Sequence, residues 1–160
     1  MARTLLIVVL TAAMALPATL SAATATDGTL SVKRGHGIVR LVFKGTAIGR
    51  LTQGKVRIID KRPFDSNSPQ FRHCRVNYIS ASTTVCSGRK LSFRAVDGRY
   101  IVRVQGSGMY LSAVGRGSVM VDGVGDQGMS DGLMSLDDGP YQSLPDAATT
   151  FDLGTSATQR

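Results

Sequence analysis

A segment that occurs twice, each time punctuated by glycines at matching places, constrains this chain more than any other feature. Leu30 to Asp60 reads LSVKRGHGIVRLVFKGTAIGRLTQGKVRIID, and Leu91 to Asp122 reads LSFRAVDGRYIVRVQGSGMYLSAVGRGSVMVD. Leu30-Ser31 returns as Leu91-Ser92, Gly37 as Gly98 and Gly45 as Gly106, before a small insertion sets Gly54 against Gly117. The apolar alternation is duplicated as well. Val39, Leu41 and Phe43 share one face of an extended segment, and their counterparts Tyr100, Val102 and Val104 are again apolar.

The duplicated segments lack helical periodicity, are rich in β-branched residues and are broken by turn-forming residues, so the fold class is all-β. Each copy divides at its glycines into four short strands, 29–34, 38–44, 47–51 and 55–60 in the first and 90–95, 99–105, 108–114 and 118–122 in the second. A four-stranded meander cannot bury its apolar face alone. The expectation is two duplicated antiparallel meanders that pack as a sandwich or close into a barrel. Between the copies (29–60 and 90–122) runs a linker, 61–89, with Pro63, Pro69 and both cysteines. Within it, Arg72–Val76 and Tyr78–Ser82 read as edge strands. After the second copy comes a tail, 123–160, in which Leu133–Leu136 reads as a further strand.

The first 25 residues have the layout of a cleavable export signal: Arg3, an apolar run from Leu5 to Leu16, then Ala23-Thr24-Ala25. That run is short for a bilayer span and is followed by Pro17, so no permanent membrane anchor is expected. Residues 26–160 then form one domain, secreted or held in the periplasm or cell envelope. Cys74 and Cys86 are the only cysteines. An even count in an exported chain points to a disulfide, and a ring this short is worth about 3 kcal/mol by loop-closure entropy.

The net charge of +8 conceals an asymmetry. Asp27 to Arg116 holds 17 Lys/Arg against 4 Asp, whereas Gly117 to Gln159 holds 7 Asp and no Lys or Arg. Lys33, Arg40, Lys44 and Arg57 in the first copy, and Arg94 and Arg103 in the second, fall on the polar side of the alternation. On neighbouring strands they would make a basic face for an anionic envelope polymer. The plainer alternative is a solvated face that discourages edge pairing, neutralised by the acidic tail folding back on it. Nucleic acid fits poorly as the anion, because Phe43, Phe93 and Tyr100 lie on the core side, where they cannot stack on bases.

Signals for chemistry are sparse. Gly128-Met129-Ser130-Asp131-Gly132 matches the G-x-S-x-G pattern, but no strand-to-helix elbow surrounds it. A small exported hydrolase using an Asp/Ser constellation near 122–131 is therefore the alternative to a non-enzymatic binding or structural module. Asp122, Asp126 and Asp131, spaced by glycines, form a candidate calcium loop without EF-hand spacing. His36 reads as a turn residue. His73 adjoins a cysteine expected to be oxidised, which leaves no transition-metal pattern. No cofactor is implied.

With its repeated Leu-Ser and glycine pattern (LSV in the first copy), its closing DGPYQSLP and its leader, the chain resembles small exported glycine-rich β proteins of bacteria with GC-rich genomes. The resemblance implies fold and export and carries no active site.

Overall fold

In a computed structural model, residues 26–125 and 131–154 are described, and all of their regular structure is β-strand. The proposed leader, Asp126 and Ser130 lie outside the described residues. Seven strands follow in order: β1 (Gly28–Asp60), β2 (Gln70–Arg72), β3 (Arg75–Ser80), β4 (Thr83–Gly123), β5 (Leu133–Leu136), β6 (Gln142–Ser143) and β7 (Thr149–Leu153). They form one antiparallel sheet, ordered β2-β4-β1-β5-β6, with β3 and β7 also paired to β4. The ends of this path do not pair with each other, so the sheet is not closed.

The first repeat copy is thus a single strand, and the second is most of another. The four short strands expected in each copy are runs within β1 and β4, and the pairing joins copy to copy. β4 flanks β1 on both edges: Val39 faces Val104 on one side and Val121 on the other, and Leu41 faces Val102 and Val119. Both strands coil tightly enough to meet again along their second edges.

Two devices replace the expected turns. The first is the β-bulge. Ala47 pairs with Ala95 and Gly45 with Gly98, so the lone Thr46 opposes both Val96 and Asp97. Asp97 takes a left-handed φ of 46°, and its N–H donates to Thr46 Oγ1 at 3.1 Å. Arg34, with a φ of 53°, similarly marks a register shift between Val32 and Gly35. An extra residue bends and twists a strand without ending its ladder, so the Arg34–Gly37 segment that carries His36 is strand and not a hairpin turn. The second device is close backbone approach at glycine. Gly45 and Gly115 face each other; a Cβ on Gly45 would lie 2.1 Å from the Val114 carbonyl oxygen, and one on Gly115 would lie 2.2 Å from that of Lys44. Gly54 and Gly106 repeat the arrangement.

An all-strand molecule must curl its sheet around whatever it buries. Along β1 and β4 the inward residues alternate as the sequence pattern requires, and Val39, Leu41, Phe43, Tyr100, Val102 and Val104 are all in the core. Tyr100 is the one polar-tipped member of that set. Its hydroxyl donates to the carbonyls of Asn67 (2.7 Å) and Val96 (3.0 Å). Burial first, then the carboxylates of Asp60, Asp65 and Asp97, push its pKa up to about 12.

The linker is clipped as expected. Cys74 and Cys86 form a disulfide with 5.7 Å between their Cα atoms, which fixes the approach to β3, where Val76 pairs with Cys86. The edge strands expected at 72–76 and 78–82 are instead β2 and β3, parted at His73, which has a φ of 57°. Strand β5 has the expected bounds. Among the described residues no helix is long and apolar enough to cross a membrane.

Candidate functional site

Inward residues of the two long strands fill the core, so the alternate residues all point outward. Arg40 of β1 faces Arg103 of β4, and Arg103 on its other edge faces Arg57 of β1. Three exposed guanidinium groups therefore stand in one row across three adjacent strand runs. Lys44 begins a second row, between Arg99 and Arg116. Separating the rows is an apolar strip, Val42, Ile101 and Ile59, which also pair in sequence across the strands, with Val42 40% exposed.

Side chains directly opposite each other in an antiparallel pair stand about 5 Å apart at Cβ, and like charges there are destabilising. Among the described residues no carboxylate forms an ion pair with the arginine row. Between described residues the cation-to-carboxylate approaches are Arg116 to Asp27 (3.1 Å) and the His36 imidazole to Asp131 (3.9 Å). Arg40, Arg57 and Arg103 take part in neither.

The described tail carboxylates form no ion pair with the arginine row. Asp137 Oδ1 accepts the Thr29 N–H (2.9 Å), and Asp138 Oδ1 accepts the Thr29 hydroxyl (3.1 Å), which tethers the tail to the start of β1. Asp131 is buried; its Oδ2 accepts the Gly125 N–H (2.7 Å) and its backbone oxygen accepts the His36 N–H (2.8 Å). The Asp137 and Asp131 carboxylates thus serve as acceptors for main chain, and that of Asp138 for a hydroxyl.

The other two residues read from the sequence as basic-face members are elsewhere. Lys33 and Arg94 line a separate groove on the outer face, together with Arg50 and Arg72. The six candidates thus divide into a row system (Arg40, Arg57, Arg103 and Lys44) and a groove pair. Sequence reasoning missed Arg99 and Arg50, although the alternations Arg99-Ile101-Arg103 and Ile48-Arg50 carried the signal. Arg72 and Arg116 required the pairing itself.

No protein-family model, curated protein or solved structure matches this chain. What the site can do follows from its own geometry.

That geometry offers little to the other candidates. Of the calcium set, Asp126 lies outside the described residues. No group of three or more His, Cys, Asp or Glu among the described residues is arranged to hold a metal. The serine of the Asp/Ser alternative, Ser130, also lies outside the described residues. Asp131 does stand beside His36, with Oδ1 3.9 Å from Nδ1, too long for a hydrogen bond.

Proposed function

We propose that this is an exported, non-enzymatic module that holds an anionic polymer of the cell envelope against the outer face of its sheet. The observation that carries the reading is the Arg40–Arg103–Arg57 row, three like charges opposed across adjacent strands that no described carboxylate pairs with. A polyanion laid across the row relieves that repulsion, and guanidinium forks match carboxylate and phosphate oxygens bidentately. Lys44 and Arg99 extend the field along the strands, and the apolar strip between the rows gives the sugar or backbone of such a polymer a surface to pack on. The Cys74–Cys86 disulfide is compatible with an extracytoplasmic setting. On this reading residues 1–25 are the removable leader, and the protein is of a kind with small exported glycine-rich bacterial β proteins.

The test is chromatography on immobilised polyphosphate and on immobilised polygalacturonate, at rising salt. Wild-type protein is expected to be retained on at least one of them, and the Arg40→Glu/Lys44→Glu/Arg103→Glu variant to elute at markedly lower salt with its melting temperature within a few degrees of wild type. All three positions are exposed, so the fold tolerates the change. Equal elution of the two proteins removes the basis of the proposal.

A further inference from the structure

The groove brings several polar side chains together, and it shares no residue with the arginine rows. Its volume is about 670 Å³, within the range of small-molecule sites. Cross-strand register shows how it is built. One row of outward residues reads Ser31, Ser112, Ile48, Arg94, Gln70, each paired with the next across β1, β4, β1, β4 and β2. The next row reads Tyr110, Arg50, Ser92, Arg72, with Lys33 of β1 closing its end. Short serine side chains in the middle keep the floor low, and long cationic ones form the walls.

Four cations, Lys33, Arg50, Arg72 and Arg94, border this space, and among the described residues no carboxylate does. Two of them are held in place. Arg50 stacks on the Tyr110 ring, 4.5 Å from its centroid, and Lys33 Nζ lies 3.9 Å from the centroid of Tyr141. Tyr141 comes from the tail, and its hydroxyl shares a 2.9 Å hydrogen bond with Ser31. That bond first, and then Lys33, hold the phenol below its ordinary pKa. The tail thus braces one wall.

Each class of group selects a part of the ligand. Guanidinium forks bind an oxyanion, and serine hydroxyls and a glutamine amide both donate and accept, as sugar hydroxyls require. Ile48, 47% exposed, and Tyr110, 36% exposed, offer apolar surface to the CH face of a ring. We infer that the groove is a binding site for a short saccharide bearing an oxyanion, either the carboxylate of a uronic acid or the phosphate of a sugar phosphate. This site is additional to the arginine rows, and neither proposal depends on the other.

Calorimetric titration of the full protein uses three probes: a glucuronate-containing disaccharide, its neutral counterpart with a hydroxymethyl group in place of the carboxylate, and glucose 6-phosphate. At least one anionic probe is expected to bind at least tenfold more tightly than the neutral one, and which of the two does so identifies the oxyanion. Arg50→Gln/Arg94→Gln is expected to weaken that binding at least tenfold, and Ser112→Trp, which fills the groove without changing charge, to abolish it. Ser112→Trp is expected to keep wild-type retention on the polyanion columns, and the Arg40→Glu/Lys44→Glu/Arg103→Glu variant to keep wild-type saccharide affinity. The inference is overturned if no probe binds saturably, if the neutral sugar binds as well as both anionic ones, or if folded groove variants bind as wild type does.

Discussion

At the scale of single residues, the glycines decide whether two strands of this length can coil. Gly45 has a φ of 152°, a conformation L side chains rarely adopt, and a Cβ there would lie 2.1 Å from a carbonyl oxygen. Gly45→Ala therefore combines backbone strain with a steric clash that only main-chain movement relieves. It is expected to cost about 2–3 kcal/mol, read as a lower urea midpoint at unchanged m-value. Gly88→Ala is the control, because the nearest atom to a Cβ there is 3.3 Å away and its φ is unremarkable; it is expected to cost about 0.5 kcal/mol. This contrast also shows what was legible in the sequence. The facing of Val39, Leu41 and Phe43, and of Tyr100, Val102 and Val104, could be read directly, since period-two alternation depends only on which face is buried. That Gly45 is a point of backbone contact and not a turn could not, because glycine serves both uses and only the partner strand distinguishes them.

Among the elements, β1 and β4 carry the fold and the short strands depend on them. Strand β3 is an edge, paired only through residues 75–80 to β4, and most of its side chains are exposed. Little apolar burial holds it, so the disulfide from Cys74 to Cys86 does much of the work of keeping it seated. Reduction opens a ring whose closing residues are 12 apart, and is expected to remove about 3 kcal/mol. A melting curve with and without reductant measures the loss, and amide exchange is expected to speed up first in residues 75–80, ahead of β1. The sequence pointed to a clipped linker with edge strands, and both exist. It misplaced their bounds because β2 and β3 pair with opposite ends of the Thr83–Arg94 run, at Phe93 and at Cys86, a choice made by distant partners. Strand β5 was read with its true bounds because Leu133–Leu136 is apolar and bounded on either side by Asp and Gly. The candidate site was half legible on the same terms: outward alternation located Arg40, Arg103, Arg57 and Lys44, but only the pairing of β1 along both edges of β4 brought them into rows.

For the whole molecule, the charge imbalance is a property of the fold and not only of composition. The carboxylates of Asp137 and Asp131 accept main-chain N–H groups at Thr29 and Gly125, and no ion pair between described residues compensates the arginine row. Such a row carries a cost in the free protein. Arg103 bears most of it, having an arginine opposite on both edges, and cross-strand pairs of this kind are worth about 0.2–1 kcal/mol each. Arg103→Gln is accordingly expected to stabilise the free protein by about 0.5–1 kcal/mol at low ionic strength, and the gain should fade near 1 M salt, where the screening length falls to about 3 Å. Saturating polyphosphate or polygalacturonate, whichever retains the protein, should reverse the order. It raises the melting temperature of the wild type by mass action and that of Arg103→Gln by less, because the variant gives the polyanion one cation fewer to bind. Denaturant titrations at two salt concentrations, each with and without polymer, separate the terms. A variant less stable than wild type at low salt would show that the row contributes to the fold itself, through packing of the Arg103 stem beside Ile101, and that its charges are not held in reserve for a partner.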